Sequence, residues 1–193
     1  MPSNISGGKK NKNVVSGDLV QRARDGDDEA FGFIVETYRD RLFGLAVGIL
    51  RNRTAAEDVV QEAFIKAHKN LKSFRGDASI YTWLYRIAVN TAHNHIRRAR
   101  RAEEVDFEEV APIIEAAGPN PAEKAANAEL GEAIDGAIQG LPPRQREVFI
   151  LHYFEQMTHR EIAEILGVTE GAVKANFFHA VQKLKGALKT YVT

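Results

Sequence analysis

Apolar side chains recur every three to four positions along most of this chain, and polar residues separate them. This spacing matches the 3.6 residues of a helical turn, and essentially no stretch shows the two-residue alternation of a strand. The run from Asp18 to Leu50 follows a candidate N-cap at Ser16, and the turn RDGDD divides it into two helices. Its apolar stripe comprises Leu19, Ala23, Ala30, Phe31, Ile34, Tyr38, Leu42, Leu45 and Ile49. The pattern predicts an all-α protein.

The segment RNRTAAEDVVQEAFIKAHKNL predicts a third helix. Thr54 and Glu57 stand three residues apart and form a candidate capping box at its start. Its buried stripe would contain Val60, Ala63, Phe64, Ala67 and Leu71. The opposite side carries Asp58, Gln61, Glu62 and Ile65. An exposed Ile among acids and an amide indicates a protein-contact surface, with an ordinary solvated face as the alternative.

The segment YTWLYRIAVNTAHNHIRRARR predicts a further helix with two different sides. One arc contains Leu84, Tyr85, Ala88, Val89, Ala92 and Ile96, and would be buried. The opposite stripe contains Trp83, Asn90, Asn94, Arg97 and Arg101. An aromatic ring and amides beside cations suit unpaired bases on a phosphate backbone. The alternative is a solvated basic face whose Trp packs sideways against a neighbour.

A loop, SFRGDASI, precedes this helix, and its Gly76 and Asp77 supply a turn while Arg75 adds a cation beside the aromatic stripe. Nearer the C-terminus, MTHREIAEILGVTEGAVKANFFHAVQKLK has a second capping box, Thr158 with Glu161, then a turn at Gly167. This pattern predicts a helix-turn-helix, with a plain helical hairpin as the alternative. Its second helix would bury Val173, Phe177, Leu184 and Leu188, and expose Lys174, Phe178, Gln182 and Lys185. A separate helix entered at Pro142 and Pro143 would precede it.

The formal net charge of zero conceals three charge blocks. Residues 1–102 carry +7, residues 103–130 carry −7, and residues 131–193 are neutral. A basic unit followed by an acidic, Pro-containing segment predicts two small helical domains joined by a flexible acidic linker. The predicted divisions are a disordered tail at 1–14, a first domain at 15–101, the linker at 102–125 and a second domain at 126–193.

Several classes of protein are disfavoured. The chain has no Cys, and no apolar run is long enough for a signal core or a membrane span, so we expect a cytoplasmic protein without membrane insertion. His93 and His95 would point about 200° apart on a helix, and no set of metal ligands is evident. Neither a Gly-rich phosphate loop nor a nucleophile elbow occurs. We expect no enzymatic activity, no cofactor and no metal.

The ordered motifs AEDVVQEAFIKAH, FRGDASIYTWLYRIAVNTAHNHIRR and LPPRQREVFILHYFEQMTHREIAEILGVTEGAVK resemble those of a bacterial RNA polymerase sigma factor. The resemblance is to the extracytoplasmic-function class, close to its envelope-stress type, and extends over roughly residues 15–190. It implies two helical DNA-binding domains, called region two and region four. Such a factor binds core RNA polymerase, recognises the −10 and −35 promoter elements, melts DNA and initiates transcription of a stress- or signal-responsive regulon. The alternative is a one-component helix-turn-helix regulator that acts without polymerase.

The resemblance also implies roles for particular residues. The partners it implies are the β′ clamp helices and β flap of core polymerase, promoter DNA and an anti-sigma factor. Contacts to the clamp helices would come from Asp58, Gln61, Glu62 and Ile65. The −10 element and melting would involve Ser73, Phe74, Arg75, Gly76, Asp77, Ala78, Ser79, Ile80, Trp83, Asn90, Asn94, Arg97, Arg98 and Arg101. The −35 element would involve Thr169, Glu170, Lys174, Ala175, Asn176, Phe178 and His179.

The chain departs from the family pattern in two places. The family commonly has a Ser and further Arg residues where this chain has Ala175, Asn176, His179 and Val181. Fewer cations predict weaker anchoring to phosphates, and base specificity cannot be transferred from relatives. Ile80 stands where an aromatic residue is frequent, which leaves the shape of the base pocket open.

Overall fold

The computed structural model describes residues 15–103 and 123–191, and all regular structure within these ranges is helical. The helices are α1 (Gly17–Arg24), α2 (Asp28–Leu50), α3 (Arg53–Asn70), α4 (Ile80–Glu103), α5 (Glu123–Gln139), α6 (Pro143–Phe149), α7 (His159–Leu166) and α8 (Glu170–Ala187). A π-helical turn, Ile150–Phe154, extends α6, and short 3-10 turns lie at Leu71–Ser73 and Lys189–Tyr191.

The first helical unit, α1 to α4, begins as the sequence predicts. Ser16 caps α1, and the turn between α1 and α2 ends at Asp27, whose carboxylate accepts a hydrogen bond from the Ala30 amide. The start of α3 differs from the prediction. Asn52, not Thr54, is its N-cap, and the Asn52 side chain accepts from the Ala55 amide at 2.9 Å. Because Asn52 is also a good capping residue and lies earlier in the chain, the helix already includes Thr54.

The second unit, α5 to α8, confirms the predicted helix-turn-helix. Thr158 and Glu161 form a reciprocal capping box at α7, and Gly167 ends α7 with a left-handed backbone, φ 64°. Thr169 then caps α8 by accepting from the Ala172 amide. Pro142 and Pro143 were predicted to mark the start of a helix. Pro143 is the first residue of α6, and Pro142 is its N-cap.

The prediction of two helical domains is confirmed, and the structure adds that they pack against each other. Buried residues of α1 to α4 form one continuous hydrophobic core with residues of the second unit, including Val148, Leu151, Met157 and Ile162. A smaller apolar cluster, around Phe149, lies within the second unit alone. The predicted tail at 1–14 and most of the predicted linker at 102–125 lie outside the described residues.

The predicted buried stripes are largely confirmed, with five exceptions. The residues that are only partly buried are Leu19, Phe31, Ile96, Phe177 and Leu188. None of the helices that the structure describes is both long enough and apolar enough to cross a membrane.

Two glycines of α2 offer a test of this packing. Gly44 is exposed with open space around it, whereas a Cβ at Gly48 would overlap Cδ1 of Ile150 from the second unit. We expect Gly44→Ala to raise the free energy of unfolding by about 0.5–1 kcal/mol, because alanine favours a helix interior. Gly48→Ala should give no comparable gain, since its methyl group displaces Ile150. Urea unfolding monitored by circular dichroism measures both, and equal gains would contradict the close approach of the units.

Buried tyrosines make stability depend on alkaline pH. Burial, and then the negative charge of Glu155, raise the pKa of Tyr85 above its usual value, and the same two causes raise that of Tyr81. Because the folded pKa lies above the unfolded value of about 10, this contribution is complete below about pH 10 and is lost as the pH rises further. We expect the free energy of unfolding to fall above that pH, and less steeply in Tyr85→Phe. Identical slopes in wild type and variant would contradict this assignment.

Candidate nucleic-acid and protein-binding surfaces

Helix α4 presents three sides to three different environments. One side packs within the first unit, where Leu84 is buried and Thr91 accepts a hydrogen bond from Lys66 Nζ at 3.2 Å. A second side meets the second unit, through Tyr85 and His93. The third side carries Asn90, which is exposed. Two sides of the helix are therefore occupied by protein, and the third is open to a ligand.

The open side of α4 ends in a cluster of cations. Arg97, Arg98 and Arg101 are exposed, and Arg97 Nη2 donates to Asn94 Oδ1 at 2.9 Å. Arg98 also lies 4.0 Å from the carboxylate of Glu62. Positive charge at a helix C-terminus is favourable because it faces the negative end of the helix dipole. The arrangement suits a phosphate backbone that runs past the end of α4.

Trp83 does not stand free on this side. Its indole is partly buried, and its ring centroid lies 5.2 Å from that of Phe74, with the planes tilted by 48°. The sideways packing that was weighed as the alternative is therefore confirmed. The ring shares the side of Asn90 on α4, but its contact with unpaired bases stays a prediction.

The loop before α4 is more ordered than its composition indicates. Phe74 is 8% exposed and Ile80 is 5% exposed, so neither side chain offers a free surface in this arrangement. Ser79 is also engaged, since its hydroxyl accepts from the Thr82 amide at 3.0 Å. Ser73 donates to the carbonyl of Asn70. The predicted loop residues that remain exposed are Ser73, Arg75, Gly76 and Asp77, while Ala78 is partly buried.

A cavity of about 290 Å³ lies between this loop and α1. Its size is near the lower limit for small-ligand pockets. The loop contributes Phe74 and Ala78 to its wall, and α1 contributes Val20, Gln21 and Arg24. The contribution of α1 was missed from sequence, because nothing in a short amphipathic helix indicates which loop it will face.

The residues predicted to contact polymerase occupy two neighbouring stripes of α3. Gln61 and Ile65 line a groove of about 740 Å³ between α2 and α3, and Ile65 is 48% exposed. Asp58 is exposed beside it, and Glu62 forms an ion pair with Lys66 at 2.7 Å. The floor of the groove is apolar, with Phe31, Val35, Phe43, Val60 and Phe64. A groove with apolar walls and a charged margin is suited to an amphipathic helix of a protein partner.

The second helix of the helix-turn-helix presents an exposed outer side. Phe178 is 58% exposed and its ring lies edge-on to His179, with centroids 5.7 Å apart. Glu170, Lys174 and Ala175 are exposed as well, on the first two turns. Asn176 and Thr169 are different, because each is engaged locally. The Asn176 amide donates to the Ala172 carbonyl at 2.8 Å, and the Thr169 hydroxyl caps the helix.

Comparison with known proteins places both units in one family. The family described as Sigma-70 region 2 matches residues 34–102, and Sigma-70, region 4, matches residues 131–184. The RNA polymerase sigma-H factor of Pseudomonas aeruginosa is 36% identical over 179 residues, covering 89% of this chain and 92% of that protein. The ECF RNA polymerase sigma-E factor of Escherichia coli K12 is 34% identical over 181 residues, covering 90% and 94%.

Solved structures with a similar fold are also known. CnrH, in its complex with the cytosolic domain of CnrY, has a TM-score of 0.66 at 26% identity, covering 90% of this chain and 96% of that one. The sigma factor RpoE of Bartonella quintana, in complex with the anti-sigma factor NepR, shares the fold with a TM-score of 0.68 at 23% identity, over 82% and 96%. The chain is a bacterial transcription initiation factor of the sigma-70 type. Within that type it belongs to the extracytoplasmic-function RNA polymerase sigma factors.

The α3 surface yields a test of polymerase binding. Asp58→Lys reverses a charge on an exposed side chain and removes no buried group. We expect a folded protein that binds core polymerase about tenfold more weakly, because a contact charge has the wrong sign. Asp135→Lys, an equal change at an exposed position of α5 in the second unit, is the matched control and should bind normally. If both variants bind core as tightly as wild type, α3 is not the docking surface.

Proposed function

We propose that the two units divide promoter recognition between them while α3 holds the polymerase. The first unit would read and hold the separated strand of the −10 element with α4 and the preceding loop. The second would read the −35 element as a duplex with α8. The observation that carries the proposal is the open side of α4, where Asn90 is exposed and a row of arginines follows it.

The chemistry of this side fits single-stranded DNA better than duplex DNA. The Asn90 amide has two donors and an acceptor for the edge of an unpaired base, and the edge of Trp83 lies on the same side. The cavity between α1 and the loop is of a size to receive a base turned out of the stack. Capture of that base requires no chemical catalysis, because preferential binding of the open strand shifts the equilibrium toward melting.

The outer side of α8 fits a major groove. Lys174 supplies a cation, and the exposed Phe178 supplies an apolar surface that can contact a thymine methyl group. The engaged amide of Asn176 makes it a poorer candidate for base reading than Lys174 or His179. Specificity at the −35 element would then depend on few polar contacts and on shape.

A protein inhibitor is part of the proposed function. Two structural relatives are bound to a protein partner: CnrH to the cytosolic domain of CnrY, and the sigma factor RpoE to the anti-sigma factor NepR. The groove between α2 and α3 is a suitable docking site for a helix of such a partner. Polymerase and inhibitor would then compete for the same surface.

The direct experiment is in vitro transcription with core polymerase on a pool of genomic promoter fragments, followed by sequencing of transcript starts. We expect starts that require both proteins and share two upstream sequence elements. Absence of any start that depends on this chain would contradict the proposal. A ligand-responsive regulator would instead bind duplex DNA without core, and the match of the first unit to sigma region 2 gives that alternative no support.

Asn90 allows a test of strand opening. Asn90→Ala removes an exposed side chain from α4, and we expect permanganate reactivity of the −10 region to fall about fivefold on linear DNA, which corresponds to one lost hydrogen bond of about 1 kcal/mol. On a promoter with the −10 region already unpaired, the defect should shrink. Asp135→Ala, at an exposed position of α5, serves as the control. Equal loss on both templates would assign Asn90 to general binding instead of melting.

A further inference from the structure

Helix α1 forms one wall of the cavity that it shares with the loop before α4. Gly17, Val20, Gln21 and Arg24 are spaced three to four residues apart, so they lie on one face of this helix. All four line the cavity. Two of them, Gln21 and Arg24, bring polar groups to a site whose other walls are mostly apolar.

A chain of hydrogen bonds orients the side chain of Arg24. Arg24 Nη1 donates to Gln21 Oε1 at 3.0 Å. Gln21 Nε2 in turn donates to the two carboxylate oxygens of Asp25, at 3.0 and 3.2 Å. Both ends of the Gln21 amide are therefore used, and the amide fixes one corner of the guanidinium.

The opposite edge of the Arg24 guanidinium is open. In any arginine, Nε and Nη2 lie along one edge and can donate two parallel hydrogen bonds. In Arg22, on the same helix, this edge is filled, because both atoms donate to Asp27 Oδ2, at 2.8 and 2.6 Å. In Arg24, neither atom has a hydrogen-bond partner among the described residues, and Nε is buried. A buried donor without a partner is unfavourable, so an acceptor brought to this edge would be stabilised.

We propose that Arg24 selects the base that enters the cavity, by donating two hydrogen bonds from this open edge to two neighbouring acceptors of the base. The inference rests on the proposed capture of a base during melting. It extends that proposal, because it names the residue that reads the base and the class of base that is read. Gln21 is a positioning residue, since it acts through Arg24.

The four bases differ in whether they offer two neighbouring acceptors. Guanine offers O6 and N7, and cytosine offers O2 and N3. In adenine, N7 adjoins an amino donor, and in thymine a ring N–H separates the two carbonyl oxygens. An edge that can only donate therefore favours guanine or cytosine over adenine and thymine.

The rest of the cavity suits the flat ring of a base without reading its polar edge. Phe74 contributes an aromatic side chain and Val20 an aliphatic one. Ser79 carries the one other polar side chain of the described lining, and its hydroxyl is already hydrogen-bonded to the amide and the hydroxyl of Thr82. Among the side chains that line the cavity, selection by hydrogen bonding therefore falls to Arg24.

Arg24→Lys separates base reading from general attraction to phosphates. The lysine keeps the positive charge and loses the planar edge with its two donors. Arg22→Lys is the matched control, because it makes the same change on the same helix at an exposed residue whose guanidinium is bound to Asp27.

The measurement is in vitro transcription by core polymerase and the full chain on a library with a randomised −10 region and a transcribed barcode on each template. We expect one position at which wild type prefers guanine or cytosine by about tenfold, as one bidentate contact allows. The library also shows which of the two bases is preferred. Arg24→Lys should reduce this preference to about twofold at that position alone, because the two-donor edge is lost, and Arg22→Lys should keep it.

Three results would overturn the inference. The first is the lack of any such preference in wild type. The second is an unchanged preference in Arg24→Lys, and the third is an equal loss of transcript from every template in that variant. If wild type initiates on no template with core polymerase, the proposed function is wrong and the inference falls with it. If wild type initiates and Arg24→Lys keeps the same preferences, only the assignment to Arg24 is wrong.

The positioning role of Gln21 has its own readout in the same library. Gln21→Leu removes the acceptor of Arg24 Nη1, so we expect a smaller reduction of the preference at the same position. A preference equal to that of wild type would show that Gln21 does not position Arg24.

A second measurement tests contact between Arg24 and the base directly. The most active template of the library is prepared with its −10 region unpaired, and the preferred base is replaced by an abasic site. We expect Arg24→Lys to weaken binding of the holoenzyme about tenfold on the intact template and less than about twofold on the abasic one, because changes to two groups in contact are not additive. An equal loss on both templates would overturn the inference.

Discussion

Burial of α4 on two sides by protein is the constraint on which the other surfaces depend. A helix buried on one side only would have left Tyr85 and His93 in water, and the second unit would have had no fixed place. Because two sides are occupied, the polar groups of the helix collect on the third. Asn90 and the terminal arginines are therefore presented together, on a rigid support, without contributing to the core. Rigid presentation suits the proposed contact with a flexible single strand.

The polar centre of the interface between the units has a definite physical consequence. A buried carboxylate such as Glu155 is acceptable only while its hydrogen-bond partners remain in place, so the packed arrangement is well defined. The hydrophobic core around this group is continuous between the two units. The position of the second unit is therefore fixed by polar and apolar contacts together.

Local features of the fold could largely be predicted from the sequence. The helices follow from apolar periodicity, and the capping box at Thr158 and the turn at Gly167 are confirmed because their signals lie within a few residues. The cap of α3 was assigned to Thr54 and is Asn52, since two good capping residues compete within one short segment. Such local competition is settled by where the preceding helix ends, and that depends on packing.

The contacts that complete the candidate sites are non-local, and the sequence contains no signal for them. Glu155 and Arg41 are 114 positions apart, and the residues that surround each of them in the sequence do not identify the other as its partner. Phe74 and Ile80 have the sequence context of loop residues but are buried, and the ring of Phe74 packs against that of Trp83. A loop composition indicates a turn but not what packs over it. The exposed residues of α3 were predicted more successfully, because exposure follows from periodicity within a single helix.

The modest charge of α8 limits how tightly the second unit alone could hold DNA. Lys174 is exposed on α8, but the neighbouring Ala175 and Asn176 supply no positive charge, so a free second unit would hold duplex DNA weakly. A weak module binds well when a linked module is already in place, because the link raises its effective concentration at the site. Under the proposed function, the second unit would therefore depend on contacts made by the first unit for stable binding to the promoter.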